Sequence, residues 1–266
     1  MFKSHIINSI YIDLIRMPSF KPIINSYLYF FGVPALAKRI RYETTLSLIK
    51  RYKIGLKNKK ILDVGGAPGD FSFFLAENYS PQEIVCVDSD GNRLKSAIKI
   101  IQKGKYPNIK IIHKNIFKFT PQDTYFSIVF CLDIIEHIKN DVAFLKHLYS
   151  LLEPHGKLIL SFPSKNRRIN PVHESAVGHV RDGYDRKEII EKLNATGFQL
   201  KTFRYVDSLD LAYYFYILKS KITKALVFPF LYWAVKLSDI FLKKQGSMVV
   251  ISATKNTICN KKNNYF

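Results

Sequence analysis

The chain has 266 residues, and 47% of them are hydrophobic, so it can bury a core and is not globally disordered. Its 41 Lys and Arg residues exceed its 21 Asp and Glu residues, which gives a formal net charge of +20. This balance favours anionic partners such as nucleic acid, an acidic membrane surface or a phosphorylated substrate, although basic residues scattered over a solvated surface explain it equally well.

The three cysteines, Cys86, Cys131 and Cys259, form neither a C-x-x-C pair nor a zinc-finger spacing. They therefore give no sign of a disulfide framework. The N-terminal segment is apolar, but Asp13 and Arg16 interrupt it and no small-residue cleavage site follows. We interpret it as mature protein rather than a signal peptide, which predicts a cytoplasmic location.

Seven short runs of apolar and β-branched residues predict strands. They are Lys60–Val64, Ile84–Val87, Ile109–His113, Ser127–Leu132, Lys157–Ser161, Phe198–Val206 and Ser247–Thr254. Helical patterns lie between most of them, at Asp70–Asn78, Asn92–Lys103, Asp141–Leu152 and from Asp185 to Gly197. This alternation predicts an α/β fold with a doubly wound, mainly parallel seven-stranded sheet, covered on both faces.

The elements divide the chain into four parts. Residues 1–56 are expected to form an N-terminal helical extension, interrupted by Pro18, Pro22 and Pro34. Residues 57–207 form the core, and residues 247–266 supply the last strand and a basic tail. A helical insertion, residues 208–246, precedes the last strand.

The insertion is rich in Tyr, Phe and Leu and contains Trp233, while Pro229 predicts a break or kink in its helix. Lys236 and Asp239 interrupt its longest apolar stretch, which disfavours a membrane span of about twenty apolar residues. A lid over a binding site is the preferred interpretation. A helix in the interface of an anionic membrane, with the protein peripheral to it, is an alternative, and a dimer interface is another.

A glycine-rich turn in "ILDVGGAPGDFSFFLA", Ile61 to Ala76, follows the first predicted strand. It is not a P-loop, because Asp70 and Phe71 stand where that motif has Lys and Ser or Thr. No register through its glycines gives the dinucleotide fingerprint, and Asp70 would repel a pyrophosphate at the helix start.

The pattern that fits is an acid, then alternating glycine or small residues: Asp63, Gly65, Ala67 and Gly69. In this pattern the chain resembles the class I S-adenosylmethionine-dependent methyltransferases, a family with a Rossmann-like fold. Small residues in the turn would let the backbone approach a ligand that carries an amino acid moiety and a sulfonium. Acids nearby suit that cation, although a tight turn before a helix is the alternative reading of the glycines.

Downstream segments extend the resemblance, which covers Lys60 to Phe203. "LDIIEHI", a helix, a Leu-Leu-x-Pro-x-Gly turn and "GHVRDGY" are similar to the small-molecule branch of the family. The resemblance implies that S-adenosyl-L-methionine is held by Asp63, Gly65, Gly66, Ala67, Gly69, Asp88, Ser89, Asn115, Ile116 and Leu132. In this interpretation Asp88 binds the ribose and Asn115 faces the adenine; a helix cap and an Asn-mediated turn are the respective alternatives.

The acceptor side offers His137 and His179 as catalytic candidates, because histidine can accept a proton near neutral pH. Arg181 could bind an acceptor anion or form a surface ion pair. Asp133, Glu136 and His137, with His173 or Glu174, could together hold a divalent cation, but neighbouring side chains on one turn diverge and no metal is expected. The fourth predicted strand lacks the Asp/Asn-Pro-Pro-Tyr/Phe sequence of enzymes that methylate base amines.

These observations favour a methyltransferase that O-methylates a small metabolite, glycan or lipid-linked acceptor. An RNA methyltransferase is the second hypothesis; the charge supports it, but no RNA-binding module is visible, so nucleic acid is the weaker partner. A non-catalytic, membrane-associated protein that keeps the fold is the third. The sequence does not identify the acceptor or the oligomeric state.

Overall fold

A computed structural model describes residues 35–121, 125–169 and 178–256. Its helices are α1 (Leu36–Arg51), α2 (Asp70–Tyr79), α3 (Gly91–Gln102), α4 (Asp141–Leu151), α5 (Arg186–Ala195), α6 (Leu211–Ile217) and α7 (Lys221–Phe241). Its strands are β1 (Lys60–Val64), β2 (Glu83–Asp88), β3 (Ile109–His113), β4 (Phe126–Leu132), β5 (Leu152–Pro163), β6 (Phe198–Val206) and β7 (Met248–Lys255). Most of the predicted N-terminal extension, together with His173, Glu174 and Cys259, lies outside the described residues.

The seven strands form one sheet in the order β3-β2-β1-β4-β5-β7-β6. Strands β1 to β5 pair in parallel, whereas β7 is antiparallel to both β5 and β6. After β1, the chain adds β2 and β3 in turn on one side of β1. It then crosses back and places β4 on the other side of β1. This reversal opens a crevice at the carboxyl ends of β1 and β4, which is where open α/β sheets bind ligands.

The continuous apolar strands follow from burial of both faces of the sheet. In β4, Ile128 and Phe130 face one core cluster, while Val129 and Cys131 face the other. Helices α1, α2 and α7 contribute to the first cluster, and α4 and α5 contribute to the second. The predicted α/β, doubly wound sheet is confirmed.

All seven predicted strands are present, and β1, β3 and β6 have the predicted bounds. Strand β5 begins at Leu152, earlier than predicted, because Leu152 pairs with Phe126 before the register shifts to Ile128 and Lys157. Helix α5 begins with a side-chain cap, in which the Asp185 carboxylate accepts a hydrogen bond from the Glu188 amide. Gly197 follows with a left-handed φ of 88°.

Helices α6 and α7 lie within the predicted insertion. Helix α7 continues across Pro229, so the predicted break is absent. Asp239 connects α7 to the start of α6, since its carboxylate accepts bonds from the amides of Asp207 and Ser208 and from the Ser208 hydroxyl. Glu43 of α1 accepts bonds from Tyr232 and Lys236 of α7. Within the described ranges, no helix combines the length and apolarity needed to cross a bilayer.

Candidate functional site

A cavity of about 580 Å³ lies at the carboxyl ends of β1, β2 and β4. Of the ten residues predicted to hold the donor, nine line it: Asp63, Gly65, Gly66, Ala67, Asp88, Ser89, Asn115, Ile116 and Leu132. These residues lie at or just after the carboxyl ends of four strands, β1 to β4, and the reversal of strand order at β1 brings them together. The position of the cavity agrees with the crevice that this topology creates.

The turn after β1 is closely packed at its first two glycines. Gly65 has a φ of 68°, and a Cβ atom there would lie 2.1 Å from Cδ1 of Ile134. A Cβ atom on Gly66 would lie 2.5 Å from the Asp63 carboxylate. Both positions therefore favour glycine, because its missing side chain lets the turn pack closely against Ile134 and Asp63.

Gly69, the tenth predicted residue, is not in the cavity wall. It has a φ of 94° immediately before α2, and a Cβ atom there would lie 3.0 Å from Phe73 and 3.1 Å from Ala97. Its small size allows α2 to pack closely against α3. The structure thus gives Gly69 a packing position rather than a contact with the cavity.

Asp63 lies at the end of β1 and is buried. Its Oδ2 accepts a hydrogen bond of 2.6 Å from the Ser72 hydroxyl, which fixes the turn to α2. Burial raises the pKa of Asp63 to about 6, and the nearby Asp88 carboxylate adds to this rise. Asp63 therefore supports the turn from beneath while lining the cavity.

Asp88 ends β2 and shapes the same turn from the other side. Its Oδ2 accepts a 3.0 Å hydrogen bond from the Ala67 amide, and its Oδ1 accepts a 2.8 Å bond from the Asp90 amide. The helix-cap alternative for Asp88 is wrong, because Asp90 caps α3 through the Arg93 amide. Carboxylate lone pairs that these bonds do not use remain for ribose hydroxyls.

Asn115 forms an Asn-mediated turn, which was the alternative to its predicted contact with adenine. Its side-chain oxygen accepts a 2.9 Å hydrogen bond from the Phe117 amide at the start of a short 3₁₀ turn. Asn115 nevertheless lines the cavity together with Ile116, Phe117 and Leu132. These neighbours make this part of the cavity wall largely apolar.

Helix α1 adds two cations that the sequence analysis missed. Lys38 pairs with Asp70, and Arg41 pairs with Asp133; both basic residues line the cavity. Burial lowers the pKa of Arg41, although nearby acidic groups oppose that shift. No motif marks these residues, because α1 reaches the site only through tertiary packing.

Asp133 follows β4 with a φ of 55°, a strained conformation for a residue other than glycine. The Ser161 hydroxyl of β5 donates to its carboxylate over 2.6 Å. Held in this way, Asp133 lies in the walls of two cavities, the one just described and a second one beside it.

The first cavity is lined by side chains of both charges. This lining suits S-adenosylmethionine, which itself carries both positive and negative groups. The charged lining consists of Lys38, Arg41, Arg93 and Lys114 with Asp63, Asp88, Asp90 and Asp133. The basic side chains suit the ligand carboxylate, while the carboxylates suit its ammonium, sulfonium and ribose groups. The residues present therefore fit this ligand.

The second cavity, of about 480 Å³, shares Arg93, Asp133 and His137 with the first. Its remaining wall includes His179, Glu136 and the α6 residues Tyr213 and Tyr216. The two predicted catalytic histidines thus meet here, with ring centroids 4.7 Å apart. They come from different loops, so their proximity depends on the fold.

His137 has a defined orientation. Its Nδ1 lies 3.1 Å from the Gly178 carbonyl oxygen, which can only accept, so Nδ1 carries the proton of the neutral ring. Nε2 is then the basic nitrogen. The Nε2 atom of His179 lies 4.0 Å from Oε1 of buried Glu136. Ligand atoms of Glu136, His137 and His179 lie within 4.8 Å of one another, a grouping that could also hold a cation.

Arg181 forms an ion pair, but with the buried Asp141 carboxylate rather than at the surface as its alternative interpretation had it. Its guanidinium donates to the Asp141 carboxylate over 2.5 Å and to the Ile138 carbonyl over 2.7 Å. The buried Tyr184 hydroxyl also donates to Asp141, over 2.9 Å. Arg181 is absent from the walls of both cavities and instead holds the loop that carries His179.

Comparison with known proteins identifies relatives of this chain among methyltransferases. The ubiquinone biosynthesis O-methyltransferase of Rickettsia bellii (strain OSU 85-389) is 25% identical over 141 residues, 52% of this chain and 56% of that protein. The tRNA U34 carboxymethyltransferase of Syntrophotalea carbinolica is 25% identical over 142 residues, 53% of this chain and 43% of that protein. The chain spans about half or less of the length of such curated relatives.

A solved structure gives the same fold. Phosphoethanolamine N-methyltransferase 2 of Haemonchus contortus, in complex with S-adenosyl-L-methionine, matches with a TM-score of 0.60 and 17% identity, over 94% of this chain and 61% of that one. The family model described as a methyltransferase domain matches residues 56–209, more than half of the chain. The chain therefore belongs to the methyltransferase domain family, within the class I S-adenosylmethionine-dependent methyltransferases.

Proposed function

We propose that the protein transfers a methyl group from S-adenosylmethionine to a hydroxyl or carboxyl oxygen of a small metabolite, glycan or lipid-linked acceptor. The observation that carries this proposal is the junction of the two cavities at Arg93, Asp133 and His137. The donor supplies a methyl group already activated on sulfonium. The chain's own task is to align the acceptor, exclude water and take up a proton.

Nine of the predicted donor residues surround the first cavity, so donor binding is proposed there. Asp88 is assigned to the ribose, and the strip formed by Asn115, Ile116 and Leu132 is assigned to the adenine. Lys38 and Arg41 are assigned to the ligand carboxylate. The polar side chains of this set each have a protein partner that fixes their position, which favours a preorganised site.

His137 is proposed as the proton acceptor, because its Nδ1 is engaged by the Gly178 carbonyl and its Nε2 is left basic. His179 lies beside it and is oriented toward Glu136. A hydroxyl acceptor in the second cavity would meet these two rings. We propose that the histidines act without a metal ion.

RNA methylation is the second candidate, favoured by the net charge of +20 and by the tRNA-directed relative. The second cavity, at about 480 Å³, instead has the size of a small-ligand pocket. Its aromatic wall is provided by Tyr213 and Tyr216 of the insertion. Steeply salt-dependent binding of RNA would favour the second candidate.

The decisive experiment incubates the protein with methyl-labelled S-adenosylmethionine and with a small-molecule, lipid or RNA fraction in separate reactions. The label transferred to each fraction is measured. His137→Gln and His179→Gln should each lower transfer by about a hundredfold while donor affinity is unchanged. His155→Gln, at an exposed histidine outside both cavities, is the matched control.

Full activity after chelator treatment is expected, whereas activity restored only by an added cation would assign a metal to Glu136, His137 and His179. Donor binding without transfer to any fraction would contradict the enzymatic proposal.

A further inference from the structure

Helix α7 presents a row of large apolar side chains to solvent, here called the α7 outer face. The row consists of Ile222, Leu226, Phe230, Trp233, Leu237 and Phe241. Phe230 is 77% exposed, Trp233 is 62% exposed and Phe241 is 80% exposed. Exposure on this scale is unusual for side chains that belong to a single helix of a monomeric protein.

The spacing of these residues places them on one side of the helix. Successive members are three or four positions apart, which matches the helical repeat over the whole of α7. The opposite side carries Phe228 and Val235, which are buried in the core. Packing on the core therefore explains only one of the two apolar sides of α7. The exposed apolar residues of the outer face need a separate explanation.

The charges around the outer face have a single sign. Exposed Lys219 precedes α7, and exposed Lys243 and Lys244 follow it. The only acidic residue in α7 is Asp239, and its carboxylate is occupied by the Asp207 and Ser208 amides. The outer face thus combines an apolar row, an exposed tryptophan and basic ends.

We propose that the α7 outer face lies in the interface of an anionic lipid bilayer, with the helix axis parallel to the membrane plane. An apolar row buried at headgroup depth, with lysines directed to anionic lipid, is the arrangement of interfacial helices. The helix is 21 residues long but is not apolar enough to span. The net charge of +20 strengthens attraction to such a surface.

A second copy of the chain is the competing occupant, and the charges disfavour it. Aligned pairing of two outer faces, parallel or antiparallel, would bring the lysines at the helix ends of both copies together. Lipid phosphate groups instead complement those lysines. The observations therefore favour a membrane over a dimer.

Docking in this way would place the second cavity near the membrane, because α6 packs against α7 and carries Tyr213 and Tyr216 of the cavity wall. An acceptor with a lipid anchor could then reach the site from the bilayer. The docking proposal itself does not rest on methyl transfer, since membrane binding is measured without donor or acceptor.

The test uses Trp233, the single tryptophan of the chain, as a built-in probe. Full-length protein is mixed with phosphatidylcholine vesicles that contain or lack about one-third phosphatidylglycerol. Anionic vesicles should shift the emission to shorter wavelength, and brominated acyl chains should quench it. Phe230→Ser combined with Leu237→Ser should weaken partitioning by about tenfold or more. Tyr52→Ser combined with Tyr125→Ser, which changes exposed aromatics elsewhere, should leave it unchanged.

Emission that does not respond to anionic vesicles would overturn the proposal. Emission already at short wavelength without lipid, together with a dimeric mass in sedimentation, would assign the face to a second copy instead. The control double variant could lose as much vesicle binding as the α7 double variant. That result would show that vesicles are attracted to the protein surface in general, and it would also overturn the proposal.

Discussion

The Ala67 amide donates a 3.0 Å hydrogen bond to Oδ2 of Asp88, joining the glycine turn after β1 to the end of β2. One carboxylate therefore has two tasks: it shapes the turn, and it faces the first cavity. The second oxygen of Asp88 accepts from the Asp90 amide and fixes the start of α3. Two segments separated in sequence thus form a single binding surface.

Replacing Asp88 with Ala should weaken S-adenosylmethionine binding by about tenfold or more, because a carboxylate acceptor for the ribose and the anchor of Ala67 are lost together. Isothermal titration calorimetry measures the change. Asp185→Ala is the matched control, since it removes a helix cap outside both cavities. Equal donor affinity for the Asp88 variant and the wild type would refute the assignment.

Asp63 should make stability depend on pH, because burial raises its pKa from 3.8 to about 6. An acid whose pKa is raised in the folded state favours folding when protonated, so its contribution falls as pH rises through this interval and is constant above it. Relative to Asp63→Asn, the wild type should lose about 2–4 kcal/mol of unfolding free energy between about pH 4 and pH 6. Urea unfolding across this range measures the difference, and a constant difference would contradict the prediction.

Asp141→Asn should destabilise the fold and impair acceptor turnover. It leaves the Arg181 guanidinium and the Lys192 ammonium without their carboxylate, at a cost of about 2–4 kcal/mol. The loop that carries His179 would lose its anchor, while the donor cavity keeps its lining. Thermal unfolding and separate assays of donor binding and transfer should show lower stability and lower transfer with similar donor affinity.

The control for that variant is Glu191→Gln, which breaks a solvent-exposed pair with Lys187 at 4.0 Å and should change stability little. If Asp141→Asn proves as mild as this control, the network does not hold the loop.

Glu43 should stabilise the contact between α1 and α7. Burial opposes ionisation of Glu43, but hydrogen bonds from Tyr232, Lys236 and Arg39 outweigh it and lower its pKa from 4.5. A lowered pKa gives stability that is present above the unfolded-state value and is lost as pH falls through the folded-state value. Glu43→Gln should therefore cost about 1–3 kcal/mol at neutral pH and progressively less below about pH 4.5. Denaturant unfolding at several pH values tests this; a pH-independent cost would exclude the ionic mechanism.

The sheet could be predicted from the sequence because its strands are buried on both faces. Continuous apolar runs such as Ser127–Leu132 carry that signal locally. The glycine-rich turn could also be predicted from the sequence, because Gly65 and Gly66 occupy positions where a Cβ atom has no space. Short-range chemistry of this kind predicts the fold class and most of the residues that line the first cavity.

Tertiary structure decided the rest. Arg41 reaches Asp133 only because α1 packs across the sheet, and Arg181 pairs with Asp141 instead of lining either cavity. The exposure of the α7 outer face likewise became visible only when the core had buried the opposite side of that helix. These relationships join residues far apart in the chain, and no local pattern specifies them because side-chain direction follows from how the helices pack on the finished sheet.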